Sequence, residues 1–147
     1  MSDPHGKPGS AVAAGVLYFA IAFGCGFALG IVRVLILMPL IGELAATALE
    51  LPVMLAISWM ASRWVIERVA VDDGLGHRLA MGGLAFGLLM VAEAGLALGF
   101  GRTLAEHVAS YGRLPQLSGL AAQVGFGLIP ALQLRFRAIP DRETPLR

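Results

Sequence analysis

Arg33, Glu43, Glu50, Glu93 and Gln123 are the polar groups of this sequence placed to pair charges or pass protons within an apolar setting. Glu50, Glu93 and Gln123 stand inside long apolar runs, Arg33 at the end of one, and Glu43 at the head of another. A carboxylate that faces lipid costs on the order of 2.5–3.5 kcal/mol. Glu50 and Glu93 must therefore pair with a cation such as Arg33, accept hydrogen bonds from groups such as Thr47 and Gln123, or take up a proton. Used reversibly, such groups make a proton or cation relay, or a site for a polar head group, a quinone or a small cation. Used only once, during folding, they make a polar network that locks the register of a helix bundle. Glu43, Thr47, Glu50 and Met54 follow the 3.6-residue period and share a helical face.

The elements that must position these groups are set by the hydropathy pattern. Of the 147 residues, 57% are hydrophobic and 14% charged, against roughly 45–50% and about 25% in soluble domains. Four stretches, Ala11–Val32, Leu44–Ile66, Leu79–Gly101 and Leu117–Leu134, hold only three charges: Glu50, Arg63 and Glu93. About 20 apolar residues cross the hydrocarbon core as a helix. The runs are continuous rather than alternating, which favours helices over a barrel. The expectation is an all-α polytopic membrane protein, with one compact four-helix domain at 11–136. A disordered tail at 1–10 precedes it and a basic tail at 137–147 follows. The first run is too long for the hydrophobic region of a secretory signal and reads as a retained helix.

Lys and Arg near the span ends set the orientation. Lys7, Arg63, Arg68, Arg78, Arg135, Arg137, Arg142 and Arg147 fall on one side; Arg33, Arg102 and Arg113 fall on the other. This places both termini in the cytoplasm, with Trp59 and Trp64 toward the cytoplasmic interface. Glu50, Glu93 and Gln123 then lie roughly 9–12 Å below the outer surface, with Arg33 at the outer end of the first span. Val34–Gly42 reads as a short interfacial or partly re-entrant connection, because Pro39 disfavours helical geometry at Met38. The alternative is a longer, tilted first helix running to Met38. Thr103-Leu104-Ala105-Glu106 matches a capping box and predicts a short interfacial helix at about 103–111.

Small residues at four-residue spacing mark faces for close helix packing. Gly26 and Gly30 make such a stripe with Ala22, and Gly83, Gly87, Gly95 and Gly99 make another. Glu93 lies on the opposite face of its helix from the second stripe. Both faces of that span are averse to lipid, so the span is central or a second chain covers one face. Pro52 and Pro130 each remove a backbone donor from the carbonyl four residues earlier, Ala48 and Phe126 respectively.

Other chemistries find little support. His5, His77 and His107 do not converge, and the single Cys25 reads as small apolar filler. No metal or nucleophile motif occurs, and no cofactor is implied. A net charge of +1 without a clustered basic face does not point to nucleic acid.

From Arg33 to Leu55 the chain reads R-x5-P-x2-G-E-x6-E-x-P-x-M-L. Together with Ala92-Glu93 and Leu104-Ala105-Glu106-His107, this resembles small four-helix proteins of bacterial inner membranes. The resemblance implies the fold and the membrane and brings no activity. Small multidrug transporters are similar in length, but their essential carboxylate is in the first helix, where this chain has none. The glycine-arginine pattern of fluoride channels is not reproduced. The expected function is an accessory or scaffold subunit of an inner-membrane assembly, without catalytic residues, as a homo-oligomer or within a larger complex. The alternative is a proton- or cation-linked transporter or channel, acting as a homo-oligomer through Glu50 or Glu93.

Overall fold

A computed structural model describes residues 8–137. The expected tails lie outside the described residues, apart from Pro8–Ser10, which open the first helix, and Arg137, which closes the last. All regular structure among the described residues is helical. Helix α1 spans Pro8–Val32 and continues through a π-helical turn, Arg33–Leu37, into the short α2, Met38–Ile41. Helix α3 spans Glu43–Val69, α4 Leu75–Gly99, α5 Leu104–Ser110 and α6 Leu114–Arg137. Four segments are long and apolar enough to cross a membrane: Ser10–Ile41, Glu43–Val69, Leu75–Gly99 and Leu114–Phe136.

The first of these corrects the expected re-entrant connection at Val34–Gly42. The helix does not break at Met38; it widens. The Met38 N–H bonds the Arg33 carbonyl five residues back, rather than four. This looser ladder admits Pro39, which has no N–H to give to Leu35. The chain turns only at Gly42, whose φ of 84° is a left-handed value that other residues resist. The alternative of a long first helix is the one observed, and it places Arg33 within the span.

The four long helices form a ring. Helix α1 packs on α3 and α4, and α6 packs on the same two from the opposite side. The contacts are closest where the α3–α4 loop and the start of α1 lie. The core there contains Ala14, Tyr18, Ala61, Val65, Met81, Ala85 and Phe126. Helices α4 and α6 touch backbone to backbone. A Cβ on Gly82 would stand 1.9 Å from the Gly127 carbonyl oxygen, and one on Gly15 would stand 2.9 Å from that of Met81.

The glycines of the two expected stripes, which the sequence leaves free to pack within the chain or between copies, make few contacts within the chain. At Gly83, Gly87, Gly95 and Gly99 a Cβ would meet nothing within 4 Å, and all four are exposed. Gly30 is equally open, and Gly26 touches only the tip of Met54. Helix α4 is not central: it has two large neighbours like each of the others, and its glycine stripe faces outward. The stripe is shifted by one residue from the position that packs. One residue is 100° of helix, and only the partner's position decides which face is inward.

Candidate functional site

Two polar pairs cross the ring at the end away from the core. The first joins α1 to α3. Arg33 Nε lies 2.5 Å from Glu50 Oε2, with the two side chains 29% and 15% exposed. The contact is an ion pair rather than an aligned hydrogen bond, since neither atom has a well-directed hydrogen-bond partner. Arg33 also reaches the Thr47 hydroxyl, at 3.5 Å. The π-helical turn begins at Arg33, so the widened backbone and the charged side chain occur at one point.

The second pair joins α4 to α6. The Gln123 amide nitrogen donates to Glu93 Oε1. Among the described residues no group hydrogen-bonds the other oxygen of Glu93. Glu93 therefore faces inward, as the opposite side of α4 from the glycine stripe must.

Both pairs line a single cavity of about 660 Å³. Its walls are mostly apolar, from Phe23, Phe27, Leu51, Met54, Leu89 and Phe126. Arg33, Thr47, Glu50, Glu93 and Gln123 give it a polar region. His107 and Tyr111 also line it, from α5 and the turn after it. Their side chains meet at 3.3 Å, between the Tyr111 hydroxyl and His107 Nε2. Burial, and after it the charge of Glu93, pushes the Tyr111 hydroxyl above the usual tyrosine range, so it stays protonated.

Glu43 does not join this group, and the sequence grouping is corrected there. It takes hydrogen bonds from Arg113 and Gln116, each at 2.9 Å, and clasps the start of α3 to the start of α6. Glu43 is about two turns from Glu50, far enough for another helix terminus to claim it. Helix α5 carries its capping box: the Glu106 N–H bonds the Thr103 hydroxyl at 3.2 Å and the Thr103 N–H bonds Glu106 at 2.8 Å.

The cavity is not enclosed. The π-helical turn packs on α1, α2 and α3, and helix α5 packs on α4. Val34, Leu35, Leu55 and Phe100 line the cavity and are exposed. The opposite end of the bundle is packed, apart from a smaller hollow of about 140 Å³ lined by Trp59, Arg78 and Gln133 among others. Tyr18 stacks on Phe126 with ring centroids 4.3 Å apart. Ser62, Gln133 and the Trp59 carbonyl form a hydrogen-bonded chain with links of 2.9 and 2.8 Å.

Two side chains of that packed end were not singled out from the sequence. Arg78 is only 1% exposed, and bonds the Asp72 carbonyl at 3.0 Å and Asp73 at 2.7 Å. The acidic pair five and six residues earlier was its only trace. Tyr18 donates its hydroxyl hydrogen to the Phe126 carbonyl. Pro130 was the available signal, since it leaves that carbonyl without a helical donor. No family model, no curated protein and no solved structure matches this chain.

Proposed function

We propose that the protein is a multi-pass protein of a bacterial inner membrane, with both termini cytoplasmic, that takes a small amphiphile from the bilayer into the open cavity of its helix bundle. One observation carries this reading: Glu50, Glu93, Arg33 and Gln123 come from four different helices and share one hollow. A purely structural network would be packed over. This one is bordered by about 660 Å³ of space, within the range of about 300–1,000 Å³ typical of small-molecule sites. The charge asymmetry of the loops puts the cavity in the outer half of the membrane and the packed core in the inner half. The packed core supports binding over conduction through the bundle.

The test is recovery of bound molecules. Full-length protein is purified in a maltoside detergent, and its lipophilic extract is quantified by mass spectrometry. Gly30→Leu and Gly119→Leu add side chains to the cavity wall where a Cβ meets nothing within 4 Å. An amphiphile retained by the parent and lost from both variants, with helix content unchanged, is the expected result. Equal recovery from all three, or from none, overturns the reading. Cysteine labelling of intact cells at His107→Cys and Asp72→Cys checks the orientation: only the first should react with an impermeant reagent.

A second reading is an accessory or scaffold subunit, and the outward glycine stripe of α4 favours it. A flat face of Gly83, Gly87, Gly95 and Gly99 admits close approach of another helix. Gly87→Leu with Gly95→Leu would then dissociate an assembly that sedimentation in detergent resolves; an unchanged mass removes this reading. A proton- or cation-linked carrier remains the transport form of the first reading. Liposome flux lost in Glu50→Gln and Glu93→Gln would support it.

A further inference from the structure

The polar region of the cavity contains unmatched acceptors and a carboxyl whose only hydrogen-bond partner among the described residues is an amide, and together they specify a head group. Gln116 and Gln123 lie two turns apart on one face of α6. Each amide nitrogen is taken up by a carboxylate from another helix, Gln116 by Glu43 and Gln123 by Glu93. An ionised carboxylate accepts and cannot donate, so with both carboxyls ionised neither amide can be turned over. Each amide oxygen is thereby left behind, and both Gln116 Oε1 and Gln123 Oε1 are buried without a hydrogen-bond partner. The second oxygen of Glu93 adds a third acceptor.

The charges are unequal as well. Glu50 is matched by Arg33, and Glu43 by Arg113. Glu93 has an amide as its partner, and among the described residues it makes no ion pair. Arg102 stands exposed on the rim, and its guanidinium turns to the Glu106 carbonyl at 3.3 Å. A carboxyl in an apolar hollow is neutralised by a proton or by a cation, and water satisfies its acceptors without supplying the cation. A protonated primary amine does both, with three N–H donors and one positive charge.

We propose that the cavity binds an amphiphile whose head is a primary ammonium group, seated on Glu93 and the Gln123 amide oxygen, with its apolar part against Phe23, Phe27 and Leu89. This rests on the binding reading above and names its ligand class. Two sources share the chemistry: a free long-chain amine, and a phospholipid with an ethanolamine head, whose phosphate would face Arg102 at the rim.

The experiment titrates oleylamine, oleyl alcohol and oleate into the full chain in maltoside micelles at pH 7 and counts bound ligand by native mass spectrometry. Oleylamine should bind at least tenfold more tightly than the other two. Glu93→Gln should abolish the preference while oleyl-chain binding persists, and Gly30→Leu should remove binding of all three. Displacement of oleylamine by phosphatidylethanolamine but not phosphatidylglycerol supports a lipid source; failure of both to displace it supports a free amine. Equal affinity for the three head groups overturns the ammonium assignment and leaves the cavity reading standing. Binding that Gly30→Leu does not reduce, or no binding at all, overturns both.

Discussion

Tyr18 donates a hydrogen bond of 3.0 Å to the Phe126 carbonyl, the backbone acceptor that Pro130 leaves open in α6. A proline on one helix is thus answered by a hydroxyl on another, 108 residues away in sequence. Tyr18→Phe keeps the stacked ring and removes only the donor. It should lower stability by about 1–3 kcal/mol, the cost of a buried unsatisfied carbonyl. Denaturation in mixed micelles checks it. In a Pro130→Ala background the loss should shrink, because the helix then supplies its own N–H to Phe126.

Arg33 and Glu50 should be coupled. Removing one partner strands a charge in a largely apolar wall, whereas removing both leaves two amides of similar size. Arg33→Gln and Glu50→Gln are each expected to destabilise by on the order of 2–3 kcal/mol, below the full range for buried pairs because both side chains keep some exposure. The double variant should recover most of the loss. A thermal-melt double-mutant cycle measures the coupling, and additive losses would refute it.

Two neighbouring glycines of α4 should answer oppositely to the same change. Gly82→Ala drives a methyl group into the Gly127 carbonyl, and separation of α4 from α6 should cost about 1–3 kcal/mol or more. Gly83→Ala places its methyl group in open space, and the gain in helix propensity is up to about 1 kcal/mol. Comparing the two melting temperatures is sufficient.

The capping box makes α5 sensitive to acid. The Thr103 N–H, and after it the Thr103 hydroxyl, hold the Glu106 carboxyl below the usual glutamate range. A folded-state value that is depressed gives stabilisation fully present above the ordinary glutamate value. It is lost as pH falls through that value to the lower folded one. Amide hydrogen exchange across Leu104–Ser110 should therefore speed up in this acidic window relative to α4. Thr103→Ala should exchange fast on both sides of the window.

Arg78 should be an anchor of the α3–α4 loop. Its buried guanidinium is held by Asp73 and the Asp72 carbonyl. Arg78→Met keeps the stem and loses both contacts. Limited proteolysis at the loop should accelerate several-fold in Arg78→Met, and only weakly in Asp73→Asn, where the carbonyl contact survives.

The four long apolar helices are legible in the sequence, because hydropathy and length are properties of a single segment. The capping box of α5 is legible for the same reason, since all its partners lie within four residues. The similar heights of Arg33, Glu50, Glu93 and Gln123 are legible there too. Which faces turn inward depends on where the neighbouring helices lie. That arrangement moved the packing glycine from Gly83 to Gly82, gave Glu43 to Arg113 and Gln116, and buried Arg78. It also leaves the polar groups bordering a hollow rather than a sealed contact. A hollow is a relation among four helices, and no single segment encodes their separation.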